Sequence, residues 1–455
     1  MKNTSISFIG NNAVDVTGSC TIIKHNDIRI ALDCGMIQTN NIVADYKANK
    51  ELAKKIKPKD IQFIICSHLH NDHIGLLPVV YHIGCQAHIY IPAGSKELMK
   101  IMLEDSVKIM ISDALRLEQK HGIKVAPLAT EEDIERVINR VIEIPFENPH
   151  TFYADKSNEL QFTYYSAGHI INSAQILLSI YEGYTLKRIG YTGDICNEDK
   201  GMSVESLVNL PKCNVPIGEC TYSDKTRCYS MKKDRWYDEV MIQTAISEYN
   251  KILIPVFSLQ RLEDILACLK KLNIKEKIYI DAPLGEKIYK RWPKELDFEQ
   301  CLDLTWVTLW EDSKALQMRD EHCIILSTSG MLSAGRAMFH LKHLLPNPKN
   351  AVLFCGYSSE NTLASEIKNG ARQIKVDGEL IDNNAQIYSL NSFSGHSNYE
   401  QLMTYYQQLQ YDKLYLVHSQ FDTKVTFANE LEKKLHDQGK SAKAIVTNAD
   451  TRIYL

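Results

Sequence analysis

The densest chemistry in the chain lies in Cys66-Ser67-His68-Leu69-His70-Asn71-Asp72-His73-Ile74-Gly75, where three imidazoles and a carboxylate fall within six positions. The apolar run Ile61 to Ile65 before it predicts a buried strand that delivers these residues to a sheet edge. In an extended segment His68 and His70 point the same way, because side chains alternate with period 2. Asp72 and His73 follow where the chain turns into a helix, so they face a second point close by. Nitrogen and oxygen donors in this mixture suit zinc, with manganese or iron as alternatives. Two adjacent donor pairs imply two metals.

Further donors stand at the ends of later strands. Ser166-Ala167-Gly168-His169 follows the strand Leu160 to Tyr165, and Thr192-Gly193-Asp194 follows Arg188 to Tyr191. Each sets a ligand-type residue after a small one, as close backbone approach requires. Together they add a fourth imidazole and a carboxylate able to bridge two metals. Asp33 ends the strand Ile28 to Leu32; its type and place fit a turn cap and a hydrogen-bonding partner for a metal-bound histidine equally. Two more histidines follow strands near the C-terminal end, His396 in Ser392-Phe393-Ser394-Gly395-His396-Ser397-Asn398 and His418 after Leu414-Tyr415-Leu416-Val417.

The positioning elements change in texture along the chain. Residues 5–35 read as three strands, 46–60 as a lysine-rich helix, and 74–84 and 95–119 as helices. From about 211, four units of strand, loop and helix begin at Ile252, Ile278, Cys323 and Ala351, an alternation that predicts a parallel α/β layer. The loop Ser327-Thr328-Ser329-Gly330 precedes a helix containing Arg336. Backbone amides at such a helix start favour phosphate, against the plainer reading of a capping turn.

A chain of 455 residues exceeds one ordinary core, and 44% hydrophobic with 24% charged residues is a soluble composition. A net charge of −4 gives no global basicity that would coat nucleic acid. Twelve cysteines show no framework spacing, which fits reduced thiols. No apolar run reaches the roughly 18 residues that span a bilayer, and the first residues lack a signal-peptide pattern, so the expectation is a cytoplasmic protein with no membrane segment.

The set His68-x-His70-x-Asp72-His73, Gly168-His169 and Gly193-Asp194 resembles the metallo-β-lactamase fold, an αββα sandwich with a dinuclear metal site. Glu219 in Gly218-Glu219-Cys220-Thr221-Tyr222, with His396 and His418, resembles motifs A, B and C of its β-CASP branch. That branch holds RNA-processing nucleases such as the pre-mRNA 3′-end cleavage endonuclease and ribonuclease J. All nine motif positions are present in the family's order, along essentially the whole chain.

The resemblance implies an α/β protein in which residues 1–210 and 385–455 form the metallo-β-lactamase domain and 211–384 an inserted parallel-sheet β-CASP domain. His68, His70 and His169 would hold one metal; Asp72, His73 and His418 the other; Asp194 would bridge. Zinc is the expected ion, with manganese as alternative. His396 beside Glu219 would serve the departing 3′-oxygen, and Asp72 belongs to the catalytic set. His418 at motif C favours RNA over DNA, so single-stranded RNA is the expected partner, with a homodimer allowed. The competing readings are a non-catalytic scaffold subunit, a DNA nuclease and a small-molecule hydrolase of the same fold. Asn398 stands where the family usually has Asp, and Ser419-Gln420 where it has Gly-Glu. Asn172, Ser223, Gln260 and Asn361 replace common glycines; Gln260 implies a reshaped loop.

Overall fold

The computed structural model describes residues 4–39, 41–198, 204–226, 228–293, 297–330, 332, 335–356, 362–376 and 378–455. Asn361 lies outside them. The chain forms two compact units, Met1–Cys228 with Gly395–Leu455, and Tyr229–Ser394.

The first unit holds two seven-stranded mixed sheets. One runs Arg452–Tyr454, Thr4–Phe8, Thr21–His25, Ile28–Leu32, Phe63–Ile65, His88–Pro92, Val141–Ile144. The other runs Lys443–Val446, Lys413–Val417, Val215–Glu219, Thr185–Tyr191, Ala174–Glu182, Asn158–Ser166, His150–Ala154. Ile6, Phe8, Ile23, Ile30 and Leu32 of the first sheet share a core with Phe162, Tyr164, Ile176, Leu178 and Ile217 of the second. Burying such side chains contributes about 1.5–3 kcal/mol each relative to exposure. Leu177, Leu414 and Leu416 point the other way, as period 2 demands, and meet Leu402, Tyr406, Phe427 and Leu431 of the helices Tyr399–Gln408 and Phe421–Asp437. The layering is αββα.

The second unit centres on six parallel strands ordered Leu304–Trp306, Lys277–Asp281, Cys323–Ser327, Lys251–Pro255, Asn350–Cys355, Gln386–Leu390. Its central strands are buried along their whole length, which is why they read as unbroken apolar runs.

Val215–Glu219 pairs in parallel with Thr185–Tyr191 and Lys413–Val417, and Gln386–Leu390 pairs with Asn350–Cys355. The compact units divide at 228/229 and 394/395, where the resemblance implies domain limits at 210/211 and 384/385. The helix expected right after the Ser327–Gly330 loop begins at Arg336, and its Ala337 amide is taken by the carbonyl of Thr328 at 2.7 Å. Ser327 Oγ donates to the Asp281 carbonyl, and the Arg336 guanidinium is committed to the Asp281 carboxylate and the carbonyls of Val307 and Thr308. These are contacts that a capping turn makes.

Gln260 keeps a glycine-like backbone at φ 74, ψ −45 before the helix Arg261–Lys271, whereas Asn172 at φ 55 sits where asparagine is tolerated. Such a conformation costs about 1–3 kcal/mol. Gln260→Gly should raise stability by about 1 kcal/mol once the greater entropy of unfolded glycine is offset. A denaturation midpoint unchanged or lowered would show that the Gln260 side chain, bonded to Asp264, outweighs the strain.

Candidate metal centre

Most of the cluster leaves the carboxyl ends of strands, while Asp72 and His73 stand on the short helix Asn71–Ile74. Asp33 follows Ile28–Leu32, His68 and His70 follow Phe63–Ile65, and His169 follows Asn158–Ser166. Asp194 and His418 follow Thr185–Tyr191 and Lys413–Val417, and Glu219 ends Val215–Glu219. Backbone permission is local: a Cβ on Gly35 would lie 1.6 Å from the Asp72 carbonyl, and one on Gly395 would press the His169 ring at 3.0 Å.

Two donor groups result, His68, His70, His169 with Asp194, and Asp72, His73, His418 with Asp194. Asp194 Oδ2 lies 3.6 Å from His68 Nε2, 3.7 Å from His169 Nε2 and 3.5 Å from His73 Nε2. His70 Nδ1 is 3.2 Å from His68 Nε2 and 3.0 Å from His169 Nε2. Asp72 Oδ2 is 3.8 Å from His73 Nε2 and 3.5 Å from His418 Nε2. Donors about 2.0–2.1 Å from a tetrahedral zinc stand about 3.3–3.4 Å apart, so both groups have the spacing of a first coordination shell. Among the described residues, His73 Nε2, His418 Nε2 and Asp194 Oδ1 are buried without a hydrogen-bond partner, a condition metals would relieve. The residues fit two divalent ions.

The opposite ring nitrogens are fixed by protein. His73 Nδ1 lies 2.7 Å from Asp33 Oδ2, and His169 Nδ1 donates to the Gly395 carbonyl at 2.5 Å. Ser67 Oγ donates to Asp33 Oδ2 at 2.8 Å and lies 3.0 Å from His68 Nδ1. Asp33 thus contacts His73 directly and reaches His68 through Ser67, one histidine of each group. The Tyr191 hydroxyl and Ser67 amide complete its shell.

Burial pushes the imidazoles of His68 and His169 well below their ordinary value and His70 to about 4, leaving neutral donors. Burial works against a charged His73 ring too, but Asp194, Asp33 and Asp72 outweigh it and hold that group up. Burial opposes an ionised Asp194, yet His418 and His73 hold its carboxyl well below the usual range.

His396 stands at the rim. Its Nδ1 lies 3.2 Å from Glu219 Oε1, and its ring packs between those of His169 and Tyr222 at 4.5 and 5.2 Å. The side chains of Asp72 and His396 are 22% and 18% exposed, against 4% or less for His68, His73, His169, Asp194 and His418. Solvent therefore reaches the centre on the Asp72–His396 side. Asn398 forms a capping box with Gln401 at the start of Tyr399–Gln408. The residues sequence reasoning missed are Ser67, Tyr191 and Thr221. Ser67 and Thr221 each lie inside a quoted motif, adjacency being the only signal they gave.

Among the described residues no helix is long and apolar enough to cross a membrane. Three family models match the chain: the metallo-beta-lactamase superfamily over residues 13–152, the Beta-Casp domain over 260–367 and the Zn-dependent metallo-hydrolase RNA specificity domain over 381–443. Ribonuclease TTHA0252 of Thermus thermophilus is 28% identical over 87% of this chain and 89% of its own. Transcription termination factor FttA of Methanocaldococcus jannaschii is 28% identical over 95% of this chain and 69% of its own. The same organism's Probable RNase MJ4 is 29% identical over 90% and 91%. A crystal structure of a protein of unknown function from Enterococcus faecalis V583 aligns with a TM-score of 0.52, covering 99% of this chain and 100% of that one at 11% identity, a likeness of fold alone. With the lactamase-type sandwich, the parallel insert and the histidine–aspartate centre in place, the chain is a metallo-β-lactamase protein with Beta-Casp and RNA specificity domains, homologous to FttA and the ribonucleases of the β-CASP family.

Proposed function

We propose that the protein is a dinuclear-metal ribonuclease that hydrolyses phosphodiester bonds in single-stranded RNA, leaving 5′-phosphate and 3′-hydroxyl ends. One observation carries it: two donor groups of coordination-shell spacing share the Asp194 carboxylate. The match of residues 381–443 to an RNA specificity domain and the relatives named ribonucleases supply the substrate class. Divalent ions held there supply an activated water near neutral pH and positive charge for the phosphate oxygens. His68, His70 and His169 would hold one, Asp72, His73 and His418 the other, and Asp194 both. Asp72, on the exposed side, also orients the attacking water. Across the rim, His396 holds a proton for the departing 3′-oxygen, with Glu219 fixing its orientation. The complete donor set weighs against a non-catalytic scaffold.

The test is incubation of metal-loaded protein with RNA labelled at either end, the products resolved by length. Cleavage abolished by chelation, with 5′-phosphate products, is expected; no cleavage by a protein holding two ions would overturn the reading. Purified under non-chelating conditions, the protein should hold close to two metal ions, mainly zinc. His68→Ala with His70→Ala should cut that content sharply, which elemental analysis measures; a wild-type protein without metal would remove the basis of the mechanism.

A further inference from the structure

Glu219 does more than hold His396. Its Oε1 accepts from the Ile195 amide at 2.9 Å and faces His396 Nδ1. Its Oε2 accepts twice from Thr221, from the amide at 2.8 Å and the hydroxyl at 2.5 Å. A hydroxyl has one proton, and Glu219 takes it. The Thr221 oxygen can then only accept from the other group it touches, His418 Nδ1 at 2.8 Å. That nitrogen carries the hydrogen, and the lone pair sits on Nε2, buried, unpartnered and 3.5 Å from Asp72 Oδ2. The competing acceptor for Nδ1, Asp194 Oδ1, is farther away at 3.5 Å.

The contact is long in sequence and specific in space. His418 leaves its strand at φ 62, with its amide bonded to the Asn12 carbonyl at 2.6 Å, so its backbone is set independently of the ring. The ring itself could still turn over about its Cβ–Cγ bond. Thr221 is the contact that distinguishes its two nitrogens. The same logic operates across the cluster, where Asp33 holds His73 directly and His68 through the Ser67 hydroxyl.

We infer that Thr221 is a positioning residue: its hydroxyl locks His418 in the Nδ1–H tautomer, presents Nε2 to the second ion, and ties that ligand to the carboxylate that orients His396. The inference rests on the dinuclear reading above. Removing such a hydrogen-bond partner of a metal-binding histidine typically weakens metal affinity by about 10–100-fold.

The experiment is a zinc titration of metal-free protein against a chromophoric chelator, with no RNA present. Wild type should bind two ions. Thr221→Val should bind the first as wild type does and the second about 10–100-fold more weakly, and Thr221→Ser should recover the second to within about threefold. Wild-type affinity for both ions in Thr221→Val, or no recovery in Thr221→Ser, would overturn the inference. Nitrogen-15 spectra of histidine-labelled, cadmium-loaded wild-type protein decide the point even if the valine variant does not fold. There His418 should show a protonated Nδ1 and a metal-coupled Nε2, and coupling at Nδ1 would refute the lock. A wild type that binds two ions without cutting RNA would sink only the ribonuclease reading; one that binds a single ion would sink the dinuclear reading and, with it, this role for Thr221.

Discussion

His396→Ala should lower RNA turnover by about 10²–10⁴-fold, the range for loss of a positioned proton donor, while metal content stays at the wild-type value. The separation follows from geometry. Seven other residues fill the two donor groups, and His396 enters neither. It contacts the cluster sideways, with Nδ1 on Glu219 and its ring against His169, and it is among the more exposed members. Because His396, Glu219 and Asp194 could themselves gather round an ion, metal stoichiometry is the deciding measurement. A variant that loses one ion along with activity would make His396 a ligand. Glu219→Gln should also slow turnover, and it should weaken the second ion as Thr221→Val does, since both act through the same hydroxyl.

The largest effect on stability should come from Glu263→Gln. Glu263 sits in the first turn of Arg261–Lys271 among Leu262, Ile265 and Leu266, fully buried, with neither carboxyl oxygen hydrogen-bonded. Burial pushes its carboxyl up to about 8, with Asp264 adding to the rise and the nearby amides of Glu263 and Gln260 restraining it. Between the unfolded value near 4.5 and 8, the folded protein keeps a proton the unfolded chain has released. The contribution of Glu263 is therefore fully present below pH 4.5, falls as pH rises and levels off above 8. At 1.36 kcal/mol per pH unit the loss is about 4–5 kcal/mol when complete. Glu263→Gln has no charge to bury, so it should match wild type near pH 4.5 and exceed it by several kcal/mol at pH 9. Denaturant midpoints with the same pH dependence in both proteins would show that the carboxyl finds a partner on ionising.

How far the site could be read from sequence depended on how far apart its partners lie. His68, His70, Asp72 and His73 announce themselves because one strand end and one helix turn carry them all. His169, Asp194 and His418 were legible as donors placed after strands. Their assignment to particular ions came from family likeness, because it depends on which strands neighbour one another. The contacts of Thr221 with His418, 197 residues away, and of Tyr191 with Asp33, 158 away, leave no local trace. Arg336 shows the opposite case. A guanidinium near a helix start looks like an anion site until Asp281 and two carbonyls are seen to consume it. The unit boundaries are hard to read for the same reason: Val215–Glu219 and Gln386–Leu390 are ordinary strands whose sheet membership only pairing decides.

The interleaving of the second sheet of the first unit has a consequence for biosynthesis. Val215–Glu219 is buried along its length and lies between Thr185–Tyr191 and Lys413–Val417, yet the residues of the other unit are made between it and its second neighbour. While the chain emerges from the ribosome, that strand has one open, apolar flank, the kind of edge that invites pairing with other chains. The nascent first part already carries Glu219 and six of the seven donors, all but His418, which follows the strand that closes the flank. Closing the sheet and completing the second donor group are therefore one event, and a half-made chain has neither a finished edge nor a finished centre.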